Sequence, residues 1–200
     1  MNKRDLILFV GIVIIIISAY LYLKKIFFGY YLAPFGIWLF FDYLSHKCKN
    51  KTTFDLIIQK NYAKIVKLYL LLFIAGFLIE LAGIIFLKLW TYKIFNYEPT
   101  LFSLSPIYLL GILTYPFILA SFRESYKFLE FFLKNKVLTT IVTMFIGIII
   151  WEVPNIFSKN WIYTIPFVGL EIFDINITVI IGWVILIWTP LLIYRYLKIK

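Results

Sequence analysis

The stretch Gly76-Phe77-Leu78-Ile79-Glu80-Leu81-Ala82-Gly83 lies in a run that decides which solvent this chain folds in. Lys67 and Lys88 bracket 20 residues, Leu68 to Leu87, and Glu80 is the one acidic or basic side chain among them. At 1.5 Å per residue a helical run of that length spans roughly 30 Å, the thickness of a bilayer's hydrocarbon core. Glu80 then lies about 4 Å from its midpoint. A carboxylate at that depth is costly against lipid, so Glu80 is expected to face protein or a water-filled cavity. Gly76, Glu80 and Gly83 fall at i, i+4 and i+7, a spacing that suits a close helix crossing with Glu80 in the seam.

The rest of the composition agrees. Of 200 residues 63% are apolar and 21% aromatic, more apolar surface than a soluble domain of this size buries. A formal charge of +10 would point to nucleic acid in a soluble protein. Here the lysines fall between apolar runs, and no basic stripe carries stacking aromatics, so topology and anionic headgroups account for them and nucleic acid is excluded. The single cysteine, Cys48, excludes an internal disulfide and a cysteine-based metal site. It reads as an incidental thiol.

Apolar runs at about 6–23, 26–44, 68–87, 106–122, 137–153 and 175–194 predict an all-α, polytopic bundle of six transmembrane helices in a single integral membrane domain, 1–200. The first run is too long for a signal-peptide core, and Lys24-Lys25 follows it where small residues should mark cleavage, so it reads as a retained helix. Pro34, Pro116 and Pro190 predict kinks in the second, fourth and sixth helices. Gly29, Ala33 and Gly36 permit close contact along the second. Between the second and third, Thr52-Thr53-Phe54-Asp55 resembles a capping box. It would open a short amphipathic helix lying on the membrane with Phe54, Ile57, Ile58 and Tyr62 on one face. Residues 123–136 mix Arg123, Lys127, Lys134 and Lys136 with phenylalanines, as a second surface segment or an extension of the fourth helix.

With six spans, fifteen of the twenty basic residues fall on one side, which places both termini in the cytoplasm of a cell-membrane protein. The opposite connections, Lys88 to Ser105 and Pro154 to Asp174, are rich in Trp, Tyr, Phe and Pro. Trp90, Tyr92, Trp161 and Tyr163 suit an outer aromatic belt.

Those connections also suggest duplication. Glu80 precedes Trp90-Thr91-Tyr92, and Glu152 precedes Trp161-Ile162-Tyr163, as in a parallel repeat of two-helix hairpins formed by helices three–four and five–six. The apolar run before Glu152 has 15 residues, roughly 22 Å, short of a full span. Crossing would carry Glu152 into the outer membrane edge, and Pro154, which disfavours helix at Val153, would leave it near a helix C-terminus. Two readings of the acids stand side by side. In one, Glu80 packs a helix seam and Glu152, Glu171 and Asp174 are solvated at headgroup level. In the other, Glu80 and Glu152 are acid and partner in an outer-half pocket. Asp42 and His46, one turn apart at the inner end of helix two, read as snorkelling interface residues. The chain carries no zinc-hydrolase histidine pair, Walker loop, dinucleotide glycine fingerprint or Asp-rich diphosphate motif, so neither metal nor soluble cofactor is expected.

The run Trp151-Glu152-Val153-Pro154-Asn155, then Trp161-Ile162-Tyr163, Pro166 and Glu171, resembles the membrane lycopene cyclase domain. Glu80-Leu81-Ala82-Gly83 before Trp90-Thr91-Tyr92 is similarly like the related carotenoid hydratases. The likeness covers about Gly76 to Asp174. It departs where Pro166 and Glu171 stand five residues apart and position 172 is Ile, and in its two-helix units. The resemblance implies acid chemistry on a polyene: a buried carboxylic acid protonates an alkene and aromatic faces stabilise the carbocation. On matching positions it implies Glu80, Glu152 and Glu171 as acids, with Trp90, Tyr92, Trp151, Asn155, Trp161 and Tyr163 around an isoprenoid substrate. The expected partners are membrane lipid and an apolar small molecule. The alternative is a small multi-pass transporter or membrane assembly subunit without catalysis, in which Glu80 packs helices or relays an ion.

Overall fold

The structure, a computed structural model, describes residues 3–24, 26, 28–92, 106–159, 161–163, 171–172 and 175–199. It is all-α apart from short strands: α1 (Lys3–Leu23), α2 (Phe28–Lys47), α3 (Thr53–Ile58), α4 (Tyr62–Glu80), β1 (Trp90–Tyr92), α5 (Pro106–Leu133), α6 (Lys136–Gly147), α7 (Val153–Ser158), β2 (Trp161–Tyr163), β3 (Glu171–Ile172), β4 (Ile175–Asn176) and α8 (Ile177–Tyr196). Among the described residues three helical segments, Arg4–Leu23, Tyr62–Phe86 and Lys136–Ser158, are long and apolar enough to cross a membrane. The chain is a membrane-associated helical protein.

The helices pack for local reasons. α2 lies along α1 and α5, and α5 also contacts α4, α6 and α8. Glycine brings α1 and α2 together: a Cβ at Gly29 would stand 2.8 Å from the Ser18 carbonyl oxygen, and one at Gly36 would stand 2.9 Å from the Ile14 side chain. Asn61 and Asn135 cap α4 and α6, accepting from Lys64 N at 3.3 Å and from Val137 N at 3.0 Å. The described residues with positive φ are all lysines: Lys49, Lys60, Lys88, Lys134, Lys159 and Lys198. Each lies one or two residues past a helical end, where the chain turns through the left-handed region and a positive charge suits the negative end of the helix dipole.

Of the two readings of residues 123–136, the extension of the fourth helix holds as far as Leu133, where α5 ends. Two expectations change. The capping box on Thr52 and Asp55 is present, but α3 does not lie free on a membrane. Thr53 and Leu56 are buried against the bundle while Ile58 is exposed and Tyr62 begins α4. The fifth expected helix does not stop at Val153. Residues Ile148–Glu152 form a π-helical segment, with Val153 N donating to the Ile148 carbonyl five residues back. Pro154 then falls just after the π segment, in the first turn of α7, without ending the helical run. The resulting helical run, Lys136–Ser158, has 23 residues and is no longer short. A second π segment, Leu81–Phe86, continues α4, with Leu87 N donating to the Ala82 carbonyl at 2.9 Å.

The end where α2, α5 and α8 finish is held by buried polar groups. Asp42, fully buried, accepts from Arg4 Nη1 at 2.9 Å, Thr52 Oγ1 at 2.8 Å and Phe54 N at 3.0 Å. Arg4 also pairs with Asp55, which lies 3.3 Å from His46 Nδ1. Arg123, itself buried, pairs with Glu124 at 2.7 Å and lies over the Tyr194 ring. Thr53 joins the two clusters through Glu124 and Tyr194. Asp42 is therefore an ion-pairing residue of the interior, not a snorkelling interface residue. Its partners come from α1, 38 residues away, and from the N-terminal end of α3, 10 and 12 residues away. Among the described residues no group of acids, His and Cys is arranged to hold a metal.

Candidate functional site

At the opposite end, β1 and β2 pair antiparallel, with Trp90 opposite Tyr163, Thr91 opposite Ile162 and Tyr92 opposite Trp161. The two Trp-x-Tyr motifs thus form a single ribbon. Trp161 is not an exposed belt residue but is buried, and with Trp90 and Tyr163 it lines a cavity of about 190 Å³ under the ribbon.

The cavity is built from every long helix around it except α1 and α6. α2 supplies Tyr30 and α4 supplies Ile79. From α5 come Tyr115, Ile118 and Phe122, spread over two helical turns. The π segment of residues 148–152 presents Trp151 and Glu152, and the ribbon presents Trp90, Trp161 and Tyr163. α8 closes the far side with Val179, Gly182, Trp183 and Leu186. Gly182 matters by what it omits, since a Cβ there would meet nothing within 4 Å.

Glu152 is the acid on the cavity wall, and it is 2% exposed. The expectation of a solvated headgroup-level acid is overturned: the π segment draws position 152 inward, under the ribbon. Its Oε1 accepts from the Tyr163 hydroxyl at 2.6 Å, and that hydroxyl accepts from Trp161 Nε1 at 3.0 Å. Burial, and next the Glu152 carboxyl, hold the Tyr163 phenol well above its ordinary pKa, so it stays a donor. Asn155 does not line the cavity. Its side-chain amide clamps the Trp161 backbone, donating to the carbonyl at 3.0 Å and accepting from the N–H at 3.1 Å, which fixes β2 over α7.

Glu80 is buried one layer back, 1% exposed, and accepts from the hydroxyl of Tyr115. Tyr115 stands between it and the cavity. Gly76 marks the close crossing of α4 with α5, with Glu80 bonded across the seam, while Gly83 is a seat for the Trp90 ring. A Cβ at Gly76 would lie 2.4 Å from Tyr115 Cβ, and one at Gly83 would lie 1.8 Å from the Trp90 indole.

Of the expected site residues, the fold brings together Glu152, Trp90, Trp151, Trp161 and Tyr163, with Glu80 and Asn155 behind them. Glu171 pairs through its backbone with Asn176. Its side chain, that of Tyr92, and Pro166 and Asp174 lie outside the described residues. Sequence reasoning missed Tyr30, Tyr115, Phe122, Gly182 and Trp183. For Trp183 a signal existed, because tryptophan favours membrane interfaces and this one sits mid-way along an apolar helix. Nothing local marks Tyr115, whose role exists only through Glu80 on another helix. Against family models, curated proteins and solved structures, the chain finds no match.

Proposed function

We propose that this chain is a six-span membrane protein, both termini cytoplasmic, whose outer-half cavity performs carboxylic-acid chemistry on the end group of an isoprenoid or similar polyene. The observation that carries the reading is Glu152: a buried acid on the wall of an aromatic cavity, oriented by Tyr163 and Trp161. Protonating an alkene needs a dry acid and a wall that tolerates developing positive charge. Size supports an end group rather than a whole chain. A cavity near 150 Å³ takes up benzene, so about 190 Å³ suits roughly eight to ten carbons. The remainder of a long polyene would lie in lipid.

Glu152 transfers its proton to one carbon of a terminal double bond. The π electrons form the C–H bond and leave a carbocation at the adjacent carbon. Where another double bond of the same chain closes on that cation, the charge moves to a further carbon. In either case a C–H beside the final cation returns its proton to the carboxylate as a new double bond forms. The acid is regenerated and no oxidant or reductant is consumed. Glu80 acts as partner by holding Tyr115 on the cavity wall. The ribbon register supports the hairpin repeat: a two-fold axis between Thr91 and Ile162 would carry Trp90 onto Trp161 and Tyr92 onto Tyr163.

The test is extraction of the lipid that co-purifies in mild detergent, followed by turnover of that class in reconstituted membranes. Glu152→Gln should retain the ligand and lower turnover by about 100-fold or more. Purified protein that neither carries nor converts an isoprenoid or polyene would sink the reading. Uptake of a ligand without its conversion would favour the carrier, which the prolines inside α2, α5 and α8 also suit.

A further inference from the structure

The cavity has a chemical preference that follows from its wall, whatever is turned over in it. Among its described lining residues eight are aromatic, Glu152 is acidic and none is basic. Four of the chain's six tryptophans are among them, Trp90, Trp151, Trp161 and Trp183. Two of these rings are themselves braced from the side: Trp183 meets Phe122 edge-on at 5.3 Å and Trp151 meets Tyr30 at 6.1 Å. A second buried acid, Glu80, stands behind Tyr115. Hydrocarbon needs none of this, since leucine and isoleucine would fill such a wall as well. Indole and phenol rings around a carboxyl are what a desolvated organic cation requires, because each ring face is negative and the acid supplies the counter-charge.

We propose that the cavity is a binding site for an apolar organic cation of the substituted-ammonium class, with the cationic head between the tryptophans and Glu152. The open space at Gly182 gives the bulk of that head room. The inference rests on the same pocket as the reading above but not on its chemistry. A site that holds the cation yet converts no isoprenoid keeps this proposal and removes the other, and the reverse outcome does the opposite.

The test uses two probes of one shape, phenyltrimethylammonium and its neutral carbon isostere tert-butylbenzene. Each has about ten non-hydrogen atoms, suited to a cavity of about 190 Å³. Binding to the full chain in nanodiscs is followed by tryptophan fluorescence, with each probe's concentration referred to the lipid phase. The cation should bind at least about 10-fold tighter than the hydrocarbon. Glu152→Gln should weaken the cation and leave the hydrocarbon unchanged, and Gly182→Leu, which adds bulk where nothing stands, should block both. Equal affinity of the two probes in the wild-type chain, or equal loss of both in Glu152→Gln, would overturn the proposal.

Discussion

The indole of Trp90 occupies the space beside Gly83 in which any other residue would carry its side chain. That contact ties the π segment of residues 81–86 to the ribbon over the cavity, so one methyl group should be felt at the roof. Gly83→Ala is expected to destabilise by about 1–3 kcal/mol and to shift tryptophan emission as Trp90 is displaced. Thermal unfolding in detergent measures it, with Gly182→Ala as the matched change that meets no neighbour. Equal melting of the two variants would remove Trp90 as the reason for glycine at 83.

Tyr163 bridges an indole and a carboxyl, so losing its hydroxyl strands both. Tyr163→Phe should cost about 1–3 kcal/mol through the buried groups left unpaired. It should also lower any turnover without emptying the cavity. Asn155→Ala should act differently, loosening the β2 backbone and so the whole roof. Hydrogen exchange at Trp161 N–H separates the two, and protection unchanged by Asn155→Ala would contradict the clamp.

At the other end, Asp42 is a fully buried acid that gathers Arg4, Thr52 and Phe54 N. Asp42→Ala should cost about 3–5 kcal/mol, because Arg4 loses one of its two carboxylates in a poorly solvated place. The double change Arg4→Leu with Asp42→Ala should cost less than the two single changes summed. Strict additivity in that cycle would show the pair to be incidental.

Asp55 adds a pH dependence. Burial pushes its carboxyl up, but the Thr52 N–H bond and the charges of Arg4 and His46 together outweigh that and hold it below its ordinary value. A depressed folded-state pKa means stability that is complete above the unfolded value of about 3.9 and lost as pH falls through the folded one. Unfolding midpoints should therefore be insensitive to this group between pH 5 and 8 and drop below about pH 4. Asp55→Asn should flatten that acid limb. An acid limb identical in the variant would assign the loss to other carboxyls.

The left-handed lysines offer a stabilising change. Replacing Lys134 or Lys159, with φ of 52° and 51°, by glycine relieves the contact of Cβ with the following carbonyl. Each should gain about 0.5–1 kcal/mol after the added freedom of the unfolded chain is set against it. A lower midpoint in both variants would show that charge at the helix end outweighs backbone strain there.

What the amino-acid order determined is what apolar periodicity and charge can carry: the solvent, the approximate helices, a close-contact face on α2, the capping box on Thr52, and five members of the cavity. Those signals are local, or repeat along one helix. The placement of the rest was decided by tertiary structure. The π turns that carry Glu152 inward depend on hydrogen bonds chosen within the packed bundle. Tyr115 becomes Glu80's partner because α5 lies against α4, and Asp42 meets Arg4 because α1 lies against α2. Gly76 lies in the expected close seam, which proved to be with α5, whereas Gly83 proved to be a seat for Trp90. Spacing along one helix reports that a face is small, but only the neighbour that fills it says what the space is for.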